Sequence, residues 1–377
     1  MPRRIIVVGA TGSIGRQTLD VAESRRDLFE IAGLSAQRDE SGLRAAAARF
    51  PGAKLCMSGA SGPLTGITLY GLEGLDELIS ETTADIVVNG AAGSGGLHPS
   101  LSALRCGKDL ALANKESVVM AWPLLDRLAG EGRSRILPVD SEHSALFQLC
   151  ERIGKRDIDE LMLTASGGPF RDRPIAELDG VRPDEAAAHP NWSMGRKISI
   201  DSATMANKGL EVIEASRLFG FSPEDIHVLV HPQSLVHALV RTRDGSLYAH
   251  VSAPDMRLPI QNALTWPETL PCPFGRLDLS GSTLEFREPE DARYPLLGLA
   301  YSALRSGEGA TIAYNAADEV AVAAFERGRI RYTRISSIVS RTLEAAWPSR
   351  ARELESIFDI DRRAREAAEA AVMEREC

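Results

Sequence analysis

Cysteine is scarce in this 377-residue chain and follows no pattern. The five cysteines, Cys56, Cys106, Cys150, Cys272 and Cys377, are scattered and form no C-x-x-C pair. That excludes the common zinc motifs and offers no disulfide framework, so reduced thiols are expected. An excess of basic charge is also missing. Lys and Arg total 43 against 52 Asp and Glu, which argues against a general nucleic-acid binder. It leaves room for a small anionic substrate, because local basic groups decide that. No apolar run approaches the ~20 residues a membrane helix needs. The N-terminal MPRRIIVVGATG leads straight into a strand and a glycine turn, without the apolar core and cleavage site of a signal peptide. A cytoplasmic protein with no membrane and no nucleic-acid partner is expected. No internal repeat is visible, and the length suits two or three domains.

What is there alternates. RRIIVVGATGSIG (3–15) is a β-branched run ending in glycines, and QTLDVAESRRDLFE (17–30) has helical spacing. Further strands are read at 31–39, 84–93, 109–116 and 135–143, with helices at 43–50 and 97–107 between them. Strands and helices at this spacing predict a parallel sheet built of βαβ units. After about residue 150 the texture changes. ELMLTASGGPF (160–170) runs from a strand into a Gly turn, and 227–256 reads as antiparallel strands with a turn at Arg243-Asp244-Gly245. The Pro- and Gly-rich segment 266–292 reads as a linker, and the Ala-rich chain from 293 as a small helical bundle. The expected fold is α/β: a Rossmann-like parallel-sheet domain over 1–140, a connective α/β catalytic domain over 141–265, the linker, and a C-terminal α-helical domain over 293–377.

Gly9-Ala10-Thr11-Gly12-Ser13-Ile14-Gly15 lies between a strand and a helix. In that setting glycines let the backbone approach a pyrophosphate, and the helix N-terminus offers it free N–H groups. A plain tight turn is the alternative, and the flanking elements favour the nucleotide. At the end of the second strand an acid usually accepts the ribose 2′-OH of NAD. Here Leu34-Ser35-Ala36 leads into Gln37-Arg38-Asp39 with no acid at the strand tip. Arg38 would pair with a 2′-phosphate, so NADPH is expected rather than NADH. A solvated loop charge is the plain alternative for Arg38.

Pro138-Val139-Asp140-Ser141-Glu142 ends a strand of the first domain. Strand alternation predicts that Asp140 and Glu142 face the same way. Oxygen ligands without a Cys or His cluster suit Mg²⁺ or Mn²⁺, although acidic pairs are common on surfaces. The stretch HPNWSMGRKISIDSATMANKGLE (189–211) adds to this. A helix is predicted from about 203, with Ser202 near its start. Asn207 and Glu211 are four apart and Lys208 and Glu211 three apart, so all three share one side of it. Ser202, Asn207 and Lys208 suit a phosphate, and Glu211 offers a third carboxylate. Taken alone, Lys208 and Glu211 would read as a surface salt bridge. Ser166, on its Gly-rich turn, adds a hydroxyl. His189 to Gly195, with Trp192 and Met194 among Pro, Asn, Ser and Gly, reads as a lid that excludes water.

These residues together resemble the 1-deoxy-D-xylulose-5-phosphate reductoisomerases, NADPH- and metal-dependent enzymes of the methylerythritol phosphate route to isoprenoids. The resemblance runs through GATGSIG, LANKE (112–116), PVDSEH (138–143), SGGPFR (166–171), the 189–211 stretch, HPQS (231–234), PDMRLPI (254–260) and NAADE (315–319). It implies a homodimer. It implies that Asp140, Glu142 and Glu211 hold the metal. Ser166, His189, Ser202, Asn207 and Lys208 would bind substrate and its phosphate, Lys115 and Ser141 would line the reacting end, and Trp192 and Met194 would cover it. The cofactor would meet Thr11, Gly12, Ser13, Ile14, Gln37, Arg38, Asp39, Asn114, Glu116 and Gly195.

In the implied reaction a ketose phosphate is chelated through its C2 carbonyl and C3 hydroxyl oxygens. Its skeleton rearranges by breaking and remaking a C–C bond, and the branched aldehyde takes hydride from NADPH. Lys115 and Glu142 are the residues expected to handle protons, with Asp140 and Glu211 beside them. A semialdehyde dehydrogenase is the rival enzyme and needs a reactive Cys. A non-catalytic NADPH sensor should have lost metal or phosphate ligands, yet Asp140, Glu142, Glu211, Ser202, Asn207 and Lys208 are all present.

Overall fold

The computed structural model describes residues 1–374 apart from 189–191, 193, 194 and 275. β1 (Arg3–Val8) is a β-branched run whose Ile5, Ile6 and Val7 are inaccessible to solvent. α1 (Ser13–Ser24) buries Thr18, Leu19, Val21 and Ala22, one stripe at the helical period. There follow β2 (Phe29–Ala36), α2 (Glu40–Arg49), β3 (Lys54–Met57), β4 (Leu69–Tyr70), α3 (Gly71–Glu81), β5 (Ile86–Asn89), α4 (Leu97–Arg105), β6 (Asp109–Leu112), α5 (Lys115–Gly132), β7 (Ile136–Pro138) and α6 (Ser141–Ile153). The seven strands form one sheet in the order β4-β3-β2-β1-β5-β6-β7, and every pairing is parallel. Both faces of such a sheet are covered, which is why Ile5–Val8 of β1 and Ile86–Val88 of β5 are apolar without alternation. The winding reverses between β1 and β5. In doubly wound sheets the ligand crevice opens there, beyond the carboxyl ends of the strands.

The chain continues through β8 (Ile158–Ala165), α7 (Pro183–Ala186), α8 (Arg196–Thr204), α9 (Ala206–Phe219), β9 (Ile226–Val230), β10 (Val236–Thr242) and β11 (Leu247–Val251). These strands form a second sheet, ordered β11-β10-β8-β9. β10 is antiparallel to both β8 and β11, but β9 runs parallel to β8, with Leu161 opposite Ile226. The antiparallel expectation for 227–256 therefore holds for the β10–β11 hairpin and not for β9. The helices between β8 and β9 are the kind of long crossover that returns a strand in parallel.

α10 (Arg257–Thr265), α11 (Pro295–Ser306), α12 (Glu308–Glu326), α13 (Arg334–Leu343) and α14 (Leu354–Met373) complete the chain. α12 is buried on every side from Gly309 to Asp318, as befits the central helix of a bundle. Its alanines Ala313, Ala316 and Ala317 are fully buried. By Cα packing the chain forms two compact units. One is Met1–Ser117, Pro123–Ser144 and Asp255–Gly275; the other is Val118–Trp122, Ala145–Pro254 and Arg276–Cys377. The start of the Pro-rich segment thus packs with the parallel sheet, along with α10.

Candidate functional site

In the first unit, the glycine turn follows β1 directly. Gly9 has φ +77°, and a Cβ there would stand 2.9 Å from the Gly90 carbonyl at the end of β5. A Cβ on Gly15 would stand 2.2 Å from the Gly9 carbonyl, so the first turn of α1 folds tightly onto the loop that precedes it. Thr11, Ser13 and Ile14 are half-buried and Gly12, the N-cap of α1, is exposed. The backbone is thus open at the helix N-terminus, where an anion is favoured. Gly15→Ala should lower stability by about 1–3 kcal/mol through overpacking and weaken nucleotide binding. Thermal unfolding with and without added nucleotide measures both, and an unchanged melting temperature would contradict the packing argument.

Gln37, Arg38 and Asp39 are exposed just past β2. Asp39 caps α2, accepting from Gly42 N at 2.9 Å. Asn114 caps α5 by accepting from Ser117 N, and its amide donates to the carbonyls of Ala91 and Gly93 at 3.0 and 2.9 Å. Glu116 accepts from Gly93 N. Asn114 and Glu116 therefore fasten the 91–93 loop beyond β5, beside the point where the sheet reverses.

Asp140 and Glu142 do not stand on a strand. β7 ends at Pro138 and α6 begins at Ser141, so Asp140 precedes the helix and Glu142 lies in its first turn. The Asp140 carbonyl accepts from Ser144 N, and its carboxylate from Ser141 N at 3.1 Å. Lys115, buried at the start of α5, donates to the Asp140 carboxylate at 2.5 Å. Burial alone would raise the Asp140 pKa, but the Lys115 ammonium and His143 together hold it well below the usual carboxylate range. His143, fully buried and 3.8 Å from Asp140, was not expected. The D-x-x-H spacing of PVDSEH, one helical turn, is the signal that points to it. Ser141 Oγ donates to Glu142 at 2.5 Å.

In the second unit, the turn after β8 carries Gly167 and Gly168 at φ +81° and +66°. A Cβ on Gly168 would stand 2.7 Å from Ala203 Cα and 2.9 Å from the Ser202 carbonyl. The two serines expected to act together, Ser166 and Ser202, therefore sit on segments that touch, and both are half-buried. The single helix expected from 203 is two. α8 ends where Met205 adopts φ +58°, and α9 starts anew, with Thr204 Oγ1 accepting from Ala206 N. A non-glycine residue in this conformation costs about 1–3 kcal/mol, and such strain gathers at functional sites. Its effect is to put Ser202 at the end of one helix, with Asn207, Lys208 and Glu211 in the first two turns of the next. Lys208 and Glu211 are buried and paired at 2.5 Å, and Asn207 Nδ2 also donates to Glu211 at 2.5 Å. This is a buried ion pair, not the surface pair the spacing alone would allow.

Trp192 is half-buried with its ring 6.3 Å from that of His237, edge to face, and His237 lies 6.1 Å from His250. Gly195 caps α8. His189 and Met194 lie outside the described residues. Burial, with His237 and Arg152 nearby, pushes the His250 imidazole down to about 4. The unfolded chain takes up this proton near pH 6.5, as an ordinary histidine does. Stability therefore holds above about pH 6.5 and falls as the pH drops toward 4, by up to about 3 kcal/mol. Urea titrations across that range should show the slope in the wild type and its loss in His250→Gln.

The parallel sheet with its glycine turn at the strand-order reversal defines a dinucleotide-binding α/β protein. The carboxylates at 140 and 142 and the hydroxyl, amide and ammonium groups at 202–208 are of the kinds that take a cation and an anion respectively. The family model for 1-deoxy-D-xylulose 5-phosphate reductoisomerase matches residues 5–122, and two models of C-terminal domains of the same enzyme match 136–219 and 251–367. The reductoisomerase of Chlorobium chlorochromatii is 43% identical, over 97% of this chain and 98% of its own. That of Aromatoleum aromaticum is 44% identical over 99% and 97%. The solved reductoisomerase of Zymomonas mobilis in complex with NADPH superposes with a TM-score of 0.91 at 39% identity, over the full length of both chains. Another, in complex with NADPH, fosmidomycin and magnesium, gives 0.91 at 38% over 98% of each. The chain belongs to the 1-deoxy-D-xylulose 5-phosphate reductoisomerase family.

Proposed function

We infer that this chain carries out the NADPH- and divalent-metal-dependent isomerisation and reduction of 1-deoxy-D-xylulose 5-phosphate to 2-C-methyl-D-erythritol 4-phosphate, a step in isoprenoid precursor biosynthesis. The observation that carries it is 43–44% identity to reductoisomerases over nearly the whole of both chains. At Cys150 the rival that needs a reactive cysteine is disfavoured, since burial pushes that thiol up to about 12, away from the thiolate.

Asp140, Glu142 and Glu211 would hold the cation. Their donors are all carboxylate oxygens, the set that Mg²⁺ and Mn²⁺ take. Asp140 and Glu211 already carry ammonium counter-charges from Lys115 and Lys208, which fits anionic sites suited to a cation. Thr11, Gly12, Ser13 and Ile14 would hold the NADPH pyrophosphate and Gln37, Arg38 and Asp39 the adenosine end. Asn114, Glu116 and Gly195 would border the nicotinamide. When bound, the cation supplies Lewis-acid polarisation of the ketose oxygens and NADPH supplies hydride.

The chain's own residues do the rest. Lys208, Asn207, Ser202 and Ser166 grip the phosphate at the N-terminus of α9, where the helix dipole adds to the ammonium. His189 binds alongside them. Trp192 and Met194 cover the substrate and keep water out. Lys115 Nζ and the Glu142 carboxylate, steadied by Ser141, hold and move protons on the substrate oxygens.

The enzyme acts as a homodimer. In support, β11 lies at the open edge of the second sheet with Leu247 and Tyr248 half-exposed, and an unprotected apolar edge invites pairing. Tyr248→Lys should shift the protein toward monomer in light scattering, with an unchanged dimer counting against this edge. No helix among the described residues is long and apolar enough to cross a membrane. The function is tested by following NADPH absorbance with 1-deoxy-D-xylulose 5-phosphate and Mg²⁺ or Mn²⁺, then with excess chelator. Oxidation should need both sugar and metal, and its absence with either metal would turn the reading toward a sensor.

A further inference from the structure

The NAADE motif at 315–319 has no part in the site above, yet it occupies the most buried stretch of α12. Asn315 and Asp318 are inaccessible to solvent. Glu319 pairs with Arg365 of α14 at 2.6 Å. Asp318 instead meets α8, where Lys197 Nζ donates to Asp318 Oδ2 at 3.0 Å and to Asp201 Oδ2 at 2.6 Å. The Asp201 side chain is 3% exposed, so one ammonium serves two buried carboxylates from different helices. Two ionised carboxylates this close would repel each other. Burial raises the Asp318 pKa despite the attraction of Lys197, which lets Asp318 keep a proton beside the Lys197–Asp201 pair.

α8 needs such an anchor. It has nine residues and no side-chain cap at its N-terminus, and a helix that short does not hold by itself. It is also held at its start, where Arg196 pairs with Glu326 of α12 at 3.2 Å, and at the far end, where Tyr332 Oη donates to the Ala203 carbonyl. Ser202 follows Asp201 directly. We propose that Lys197, Asp201 and Asp318 form a buried ionic pin by which the C-terminal helical bundle positions α8, and through it Ser202, for the phosphate of the substrate. The three are positioning residues, and the proposal rests on the functional reading above.

The test uses the full chain with NADPH and Mg²⁺, and compares Asp318→Leu with Asp318→Asn. Leu removes the pin, whereas Asn keeps the size and hydrogen-bond donor of a protonated carboxyl. Asp318→Leu should raise KM for the ketose phosphate about tenfold or more while KM for NADPH stays within about twofold. It should also speed amide exchange across 197–204. Asp318→Asn should keep the substrate KM within about threefold. A folded Asp318→Leu enzyme with unchanged substrate KM overturns the proposal, and an Asn variant as impaired as Leu overturns the neutral acid. If Asp318→Leu does not fold, Lys197→Met, at the more exposed side of the cluster, makes the same comparison. A wild-type enzyme that does not turn over the sugar defeats the functional reading instead, and the exchange measurement then judges the pin by itself.

Discussion

Glu211→Gln abolishes metal-dependent turnover. The substitution keeps the size of a side chain that is 1% exposed and removes only its charge. Lewis-acid polarisation is worth several kcal/mol, so kcat should fall at least about a thousandfold. Binding of Mn²⁺ measured calorimetrically should weaken in parallel, while NADPH affinity stays within about twofold. The variant also leaves Lys208 as a buried cation facing an amide, which costs stability. Unfolding must therefore be measured beside activity, and Glu211→Asp, which keeps the charge, should unfold near the wild type. Turnover within about tenfold of wild type in the folded Gln variant would remove Glu211 from the metal.

Lys208→Met should act through the phosphate. Lys208 is 4% exposed and sits in the first turn of α9. There its ammonium and the helix N-terminus favour the same anion. Losing one buried charge-assisted contact costs about 2–5 kcal/mol, so KM for the ketose phosphate should rise about a hundredfold or more. kcat should fall as well, because binding energy from the remote phosphate also orients the reacting end. The decisive comparison is a substrate lacking the phosphate. Wild type and variant should handle it equally poorly, whereas a purely structural role for Lys208 would depress both substrates alike. Lys208→Arg, which keeps the charge, should recover part of the loss.

The residues differ in how openly they announce these roles. β1 and its glycine turn are plain because an apolar β-branched run stops at Gly9 and helical spacing resumes after Gly12. β3 and β4 are not legible, since strands of four and two residues carry too little periodicity to register. Asp140 and Glu142 were legible as a pair but not in their geometry. Strand alternation was assumed to carry on, whereas the backbone leaves β7 at Pro138 and turns into α6. The polar group from Ser202 to Glu211 stood out by composition. The break at Met205 does not, because nothing in ATMAN marks a left-handed non-glycine residue. His237 and His250 meet across two paired strands, which spacing along the chain does not reveal.

This chain couples a metal-dependent rearrangement to hydride transfer. The most direct test of that coupling is product analysis by mass spectrometry, with 1-deoxy-D-xylulose 5-phosphate, Mg²⁺ and deuterated NADPH. One NADPH should be consumed for each 2-C-methyl-D-erythritol 4-phosphate formed, with a single deuterium retained at the reduced carbon and no product after chelation. A product with the unbranched skeleton, or deuterium uptake that survives the chelator, would contradict the coupling.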